Sequence, residues 1–350
     1  MLTVVPSSDG QLSLSRSGER GRPRGVRLPA LVLLGAALAC SAPMPRAARA
    51  AGRPNQAPRA GAPAQPASEK PEDGKGGQDK TEVDSEDLFG FTIGSDVGDV
   101  GETELSLDTR LRASRRGGSY RVWQPGLEAE YIPLENFSFA GSVTFDHFRI
   151  RGVQGLDDRV GGGVGAIGAE FKYALLTRKQ DGVGLTVSVQ PQLGFFEDDS
   201  GQRGTRTALE ARLSADAELV PDRLFGAINV SYEPEVFRPR YPVAPDGDPT
   251  RTERDATLGI GGALSVRLGE TLFAGAELRY LRKYEGIALR SFDGEALYLG
   301  PTMFWQVGEK VSLSAAWNVQ VAGHAKGQPG ALDLDDFDRH QARVKLKVSF

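Results

Sequence analysis

Hydrophobic and polar side chains alternate at every second position over most of the chain after residue 100. In the stretch 103–112, Leu105, Leu107 and Leu111 are separated by charged or hydroxyl-bearing residues, and the stretches 183–195 and 209–218 repeat the pattern. Strict alternation places the two sets of side chains on opposite faces of a β-strand. The pattern therefore predicts strands throughout this region, with no helical periodicity of comparable length.

Turn residues divide this region into twelve predicted strands. They span 101–114, 119–133, 137–151, 163–176, 183–196, 205–219, 224–237, 254–268, 271–284, 294–307, 311–323 and 340–350. Each reaches the length of about 9–11 residues that a tilted strand needs to cross a bilayer.

The predicted connections between strands alternate in length. The short ones are 133–136, 177–182, 220–223, 269–270 and 308–310. The longer ones are 152–162, 197–204, 238–253, 285–293 and 324–339. The connection 115–118 is at the same end as these longer ones but is short. Short turns at one end, long loops at the other and an even number of strands are typical of transmembrane barrels. The sequence thus predicts an all-β fold, a twelve-stranded antiparallel up-and-down transmembrane β-barrel over residues 87–350.

The two strand faces differ in chemistry, and this difference predicts which face points inward. Large apolar residues are expected to face lipid: Trp123, Leu127, Tyr131, Phe137, Phe139, Phe145, Phe171, Tyr173, Ile228, Tyr232, Tyr280, Trp305 and Trp317. Charged residues of the other face are expected to line the lumen: Glu104, Asp108, Arg110, Arg112, Glu128, Glu130, Glu170, Lys172, Glu210, Arg212, Asp216, Glu218, Glu233, Glu235, Glu277, Arg279, Arg343, Lys345 and Lys347. Isolated buried charges are costly, so these groups must face water or pair with neighbours.

Two interpretations of this interior remain open. In a narrow water-filled channel, the charges would tune the passive passage of small hydrophilic solutes. In a plugged barrel, ion pairs such as Glu277 with Arg279 would link neighbouring strands and occlude the lumen. A twelve-stranded cylinder is wider than the eight-stranded barrels that side chains can fill and narrower than an open porin. We favour the channel.

The first 50 residues have the order of a secretory signal. Five arginines between Arg16 and Arg27 precede an apolar stretch at 28–40, and small residues at Ala48 and Ala50 favour cleavage after Ala50. A lipoprotein signal acylated on Cys40 is the alternative. Residues 51–86 are rich in Pro, Ala and Gly and carry almost no large apolar side chain, so we expect a disordered tether there.

Charge and composition exclude several function classes. The 350 residues contain 42 Lys and Arg against 46 Asp and Glu, and this near-neutral balance argues against a nucleic-acid partner. One cysteine and three histidines argue against a zinc site, and we expect no metal and no cofactor.

The last strand carries alternating apolar residues that end on a C-terminal aromatic. Val344, Leu346, Val348 and Phe350 form this signature. It resembles the insertion signal of Gram-negative outer-membrane β-barrel proteins, which the barrel-assembly machinery reads. The resemblance implies the bacterial outer membrane as location, with lipid and lipopolysaccharide as surroundings.

The stretches 88–96 and 315–323 also look like an uncharacterised proteobacterial barrel family. That family has no established biochemical role, so this resemblance implies no activity.

Two motifs invite a binding interpretation. The stretch 163–168 fits the dinucleotide pattern, but it opens an alternating stretch instead of a helix, so a glycine-rich strand is favoured. Asp333, Asp335, Asp336 and Asp338 crowd the last loop; they are expected to form a solvated acidic loop, with calcium binding as the alternative.

Catalysis is not expected. The three histidines, His147, His324 and His340, lack the serine two residues away that a phospholipase-like barrel needs. Asp146 and His147 are adjacent and so point to opposite strand faces. The leading hypothesis is a solute channel; a structural or surface-interaction barrel is second, and an outer-membrane hydrolase is third.

Overall fold

The computed structural model describes residues 84–240 and 252–350. The predicted signal peptide with its cleavage after Ala50, the lipidation alternative at Cys40 and the tether up to residue 83 lie outside the described residues. Within the described residues, no helix has the length and apolar character needed to cross a membrane.

Twelve strands form one sheet that closes on itself. They are β1 (Thr103–Ala113), β2 (Ser119–Leu134), β3 (Phe137–Arg151), β4 (Arg159–Leu176), β5 (Val183–Phe196), β6 (Arg203–Val220), β7 (Leu224–Pro239), β8 (Glu253–Arg267), β9 (Leu272–Glu285), β10 (Ser291–Gly308), β11 (Val311–Ala325) and β12 (His340–Ser349). Each strand pairs antiparallel with its neighbours in the chain, and β1 pairs with β12 to close the barrel. The twelve-stranded antiparallel up-and-down barrel is thus confirmed.

The largest boundary difference lies in β4, which begins four residues before the predicted position at 163. Gly161, Gly162 and Gly163 pair there with Phe148, His147 and Asp146 of β3. A glycine has no side chain to alternate, so the hydrophobic pattern cannot reveal that the strand continues. The only described helix is α1 (Arg178–Asp181), a single turn inside a connection that the sequence predicted as a turn.

Connection lengths sort the two ends of the barrel. One end, called here the turn end, carries the connections 135–136, 177–182, 221–223, 268–271 and 309–310. The other, called the loop end, carries 114–118, 152–158, 197–202, 286–290 and 326–339, together with the connection between β7 and β8, most of which lies outside the described residues.

The outer face of the barrel is apolar. Trp123, Leu127, Ile228 and Trp317 each leave about half of the side-chain surface exposed, at 48%, 54%, 61% and 52%. Similar exposed leucines, valines and aromatics occur on every strand. A water-soluble barrel would bury such residues in its core instead.

The interior is less uniformly charged than the strand pattern predicts. At the turn end, Phe225, Phe273 and Phe304 are buried together, with Phe273 in edge-to-face contact with each of the other two. At the loop end, a second cluster surrounds Phe148 and Phe196. Apolar side chains therefore face inward near both ends, in addition to the charged residues of the interior.

We expect Phe273→Ala to lower the free energy of unfolding by about 3–5 kcal/mol, because the change leaves a cavity between two aromatic rings. Leu272→Ala is the matched control. Its side chain is the preceding one on β9 and points outward, so a loss of about 1 kcal/mol or less is expected. Chemical denaturation of the refolded barrel measures both values, and equal losses would contradict the assignment of the inner face.

Candidate functional site

Residues 84–98, called here the luminal segment, lie inside the turn end of the barrel. Leu88 and Phe89 are fully buried in the cluster formed with Phe225, Phe273 and Phe304. Glu86, which the sequence analysis assigned to the tether, is also buried.

Side chains of the barrel wall satisfy the backbone of the luminal segment. The amide groups of Phe91 and Thr92 donate to the carboxylate of Glu277 at 3.2 and 2.8 Å. Asn229 accepts from the Ile93 amide and donates to the Ile93 carbonyl, each at 2.7 Å. An extended segment away from water needs such partners, because an unpaired backbone polar group is costly to bury.

Lysines of β4 and β12 surround the acidic start of the luminal segment. Lys345 lies 3.2 Å from Asp87, and Lys347 lies 3.3 Å from Glu86. Lys172 also contacts the Glu86 carboxylate. Burial alone would raise the pKa of Glu86, but the ammonium groups outweigh it and hold that pKa well below its usual range.

A second set of ion pairs lies at the loop end. The guanidinium of Arg115 donates to Asp338 at 2.8 Å and to Asp199 at 2.6 Å, and all but 3% of the Arg115 side chain is buried. Arg112 contacts Asp199 as well, at 2.9 Å. These contacts draw the loops 197–202 and 326–339 over the lumen.

The acidic residues of the last loop are folded inward, which corrects the expectation of a solvated loop. Asp335 pairs with Arg116 at 2.8 Å, and Asp338 pairs with Arg115. Asp333 is buried and accepts from the Asp335 and Asp336 amides. Ion pairs and backbone amides thus take up most of these carboxylates.

The carboxyl group of Asp336 is only partly compensated by a neighbouring cation. Burial raises its pKa to about 6, although Lys283 at 3.9 Å works in the opposite direction. Asp333 and Asp293 add to the increase in this pKa.

Between the two packed ends lies a cavity of about 240 Å³. Eleven of the charged residues predicted to line the lumen contribute to its wall: Asp108, Arg110, Glu128, Glu170, Lys172, Glu210, Arg212, Glu233, Arg279, Arg343 and Lys345. Glu86, Phe91, Thr92 and Ile93 of the luminal segment complete one side of it.

The other predicted lumen residues lie elsewhere. Five are buried around the luminal segment, namely Glu104, Glu130, Asp216, Glu277 and Lys347. Arg112 and Glu235 take part in ion pairs nearer the loop end. Glu218 does not contribute to the interior, because it is exposed at the end of β6, where its carboxylate accepts from the Asp222 amide of the turn.

The proposed pairing of Glu277 with Arg279 is wrong. No such contact occurs within 4.0 Å, and Glu277 instead accepts from Phe91, Thr92 and Asn318. The strand pattern placed both side chains on one face correctly, but it could not show that another segment would enter the lumen and take the carboxylate.

Three buried carboxylates, of Glu86, Glu104 and Glu130, lie within 4.8 Å of one another. Lys172 reaches Glu130 at 3.0 Å, and Lys347 reaches Glu104 at 3.2 Å. Ammonium groups therefore already supply the positive charge that a metal ion would bring.

The remaining motifs lie on the barrel wall. The stretch 163–168 is part of β4, and a Cβ on Gly165 would clash with the Asp146 carboxylate. His147 is exposed while Asp146 is buried, so the two lie on opposite faces.

The C-terminal signature lies along β12. Val344 and Leu346 are exposed on the outer face, Val348 is half-buried, and the Phe350 amide donates to the Thr103 carbonyl. Recognition of these residues by an assembly machinery stays a prediction.

We expect Arg115→Ala to lower the free energy of unfolding by about 3–5 kcal/mol, because it removes the nearest cation from the buried carboxylate of Asp338 and leaves only Arg112, at 3.7 Å. Arg116→Ala is the adjacent control. Its pair with Asp335 is about a quarter exposed and should contribute about 0–1 kcal/mol. Denaturant unfolding of both variants tests the difference, and similar values would refute a buried closure at the loop end.

Asp336→Asn should change how stability depends on pH. A carboxyl group whose folded pKa is raised contributes stability below its unfolded pKa of 3.8 and loses it as pH rises through about 6. The asparagine stays neutral, so the stability of the variant relative to the wild type should increase from less than about 1 kcal/mol at pH 4 to about 3 kcal/mol at pH 7. Unfolding measured across this range tests the sign, and a pH-independent difference would contradict it.

Several solved structures resemble the barrel. The COG4313 outer membrane channel from Pseudomonas putida F1 has 13% identity and a TM-score of 0.49, over 77% of this chain and 100% of that one. The β domain of the Bordetella autotransporter BrkA has 14% identity and a TM-score of 0.44, over 71% and 99%. The NanC porin has 11% identity and a TM-score of 0.40, over 70% and 98%. These likenesses transfer no function.

The sequence itself points to one family. No curated protein matches the chain. The model of a "Family of unknown function (DUF6662)" matches residues 81–350, which include the luminal segment and all twelve strands. The chain therefore belongs to this family of unknown function, DUF6662.

Proposed function

We propose that the protein is a bacterial outer-membrane barrel that gives small hydrophilic solutes a narrow passage across the membrane. One observation carries the proposal: a closed barrel has an apolar outer face and a cavity walled by charged side chains. That arrangement suits lipid outside and water inside.

The outer face supports the membrane location. Large apolar side chains stay exposed on every strand. In water, an apolar surface of this extent would cause the protein to associate with itself or with other proteins. A bilayer removes that cost, and closure of the barrel leaves no sheet edge with unpaired backbone groups.

The interior supports a narrow passage in place of an open pore. The luminal segment fills part of the turn end, and the loops 197–202 and 326–339 fold over the loop end. A solute must therefore move past packed chain on both sides of the cavity.

Export and assembly complete the proposal. Residues 1–50 would direct the chain across the inner membrane, and Val344, Leu346, Val348 and Phe350 would present the last strand to the barrel-assembly machinery. The turn end would then face the periplasm, and the loops would meet lipopolysaccharide.

A plugged structural barrel is the second candidate, and the packing of both ends favours it. In this case the loops at 238–253 and 324–339 would bind an external partner while no solute passes. We assign no catalytic role to the chain in either case.

Planar-bilayer recording tests the proposed passage. The refolded full-length chain should give discrete single-channel steps in potassium chloride, smaller than those of wide porins because the luminal segment narrows the lumen. Heat-modifiable gel mobility verifies that the barrel is folded. Folded protein without conductance would remove the channel proposal and favour the plugged barrel.

A disulfide variant provides the matched control. A Cβ on Gly261 would lie 3.3 Å from Thr92 Oγ1, which occupies a position that a cysteine sulfur at residue 92 can take, so the two positions are close enough for a cross-link. In a Cys40→Ser background, the pair Thr92→Cys and Gly261→Cys should lower conductance when oxidised and restore it when reduced. Thr92→Cys alone should respond to neither treatment.

A further inference from the structure

The wall of the central cavity contains six acidic and six basic side chains, and their pairing is unequal. Each of the acidic ones has a cationic nitrogen within 4.0 Å. The contacts are Glu86 with Lys347, Asp108 with Arg343, Glu128 with Lys345, Glu170 with Lys172, Glu210 with Arg212, and Glu233 with Arg206. The acidic groups of the wall are therefore all paired.

Arg279 of β9 is different. Among the described residues, no carboxylate oxygen lies within 4.0 Å of its guanidinium nitrogens. Glu277 stands two residues earlier on the same strand face, but the luminal segment and Asn318 already occupy both of its oxygens. Arg279 is thus a cation facing the cavity without a direct counter-ion.

The guanidinium of Arg279 is held in place by neutral groups. It lies 4.3 Å from the centre of the Phe91 ring and 5.9 Å from that of Tyr298, and Nη1 donates to Gln341 Oε1 at 3.0 Å. Ring contacts fix the plane of the group, and the remaining N–H groups stay available. A guanidinium held in this way is preorganised for a planar, two-oxygen ligand.

The surroundings add positive charge on the other side of the cavity. Arg110 and Arg343 share the single carboxylate of Asp108, at 3.3 and 3.1 Å. More than half of the Arg110 side chain is open to its surroundings, at 55% exposed. β1 and β9 are separated by four steps around the barrel, so the two groups approach the cavity from different sides.

We propose that the central cavity binds small carboxylate anions through the guanidinium of Arg279. This inference names a solute class for the proposed passage and rests on that function. Carboxylate fits because the free donors form a planar fork, and the cavity of about 240 Å³ holds several water molecules that a small anion can replace.

The binding site is local, since acidic groups dominate nearer the turn end. There, the single ammonium group of Lys347 lies near four carboxylates, those of Asp84, Glu86, Asp87 and Glu104. The luminal segment contributes Phe91 to the site, so the ring that orients Arg279 belongs to the segment that narrows the passage.

Calorimetry on the folded full-length barrel tests the site directly. Potassium succinate is the probe, and succinamide, which is neutral and of similar size, is the ligand control. Wild type should bind succinate and not succinamide. Arg279→Gln should weaken succinate binding about tenfold or more, because a charge-assisted contact is lost. Arg279→Lys should give an intermediate affinity, since it keeps the charge and loses the fork.

Arg149→Gln is the protein control, because it makes the same change on the exposed face of β3 and should leave the affinity unchanged. Equal succinate binding by wild type and Arg279→Gln, with both folded, would overturn the site, and so would the absence of binding to wild type.

Bilayer recordings separate this inference from the proposed function. Succinate should reduce the potassium chloride current through wild type more strongly than through Arg279→Gln. A conducting wild type with no difference between the two would overturn the site and leave the channel standing. Succinate binding that depends on Arg279 without any conductance would support the site and remove the channel.

Discussion

The structure depends on one constraint: charges enclosed by an apolar barrel must find partners inside it. A carboxylate or an ammonium group of the wall cannot point outward without a large desolvation cost, because the outer face is apolar on every strand. Lys345 and Lys347 of the last strand illustrate the consequence, since their partners Glu86 and Asp87 come from a segment that precedes the first strand. The inserted chain thus neutralises part of the luminal charge, and pairs within the wall, such as Arg343 with Asp108, neutralise much of the rest.

The same constraint explains how the luminal segment is held. Strand ladders use the backbone groups of the wall, so an inserted segment must bond to wall side chains. Glu277, Asn229 and Arg343 do so, the last by donating to the Gly90 carbonyl at 2.7 Å. The apolar contacts of Leu88 and Phe89 fix the depth of insertion, because their cluster exists only near the turn end.

Packing at both ends of the barrel defines the cavity in the middle. Arg115 and its aspartates occupy the loop end, and the luminal segment occupies the turn end. The cavity between them is lined by charged side chains and is large enough for water. In it, the Arg279 guanidinium packs against the Phe91 ring and does not pair with a carboxylate. The size of the cavity and the charge of its wall therefore have a common origin in the way the ends are packed.

The sequence by itself determined the strands, their number and the chemistry of each face, because alternation with a period of two is a property of neighbouring residues. It placed Glu277 and Arg279 on the inner face in this way. Only the tertiary structure decided which inner groups meet: Arg115 binds Asp338, 223 positions away, and Glu277 binds the luminal segment. Such contacts arise because barrel closure and an inserted chain bring distant residues together, and no local pattern records that proximity.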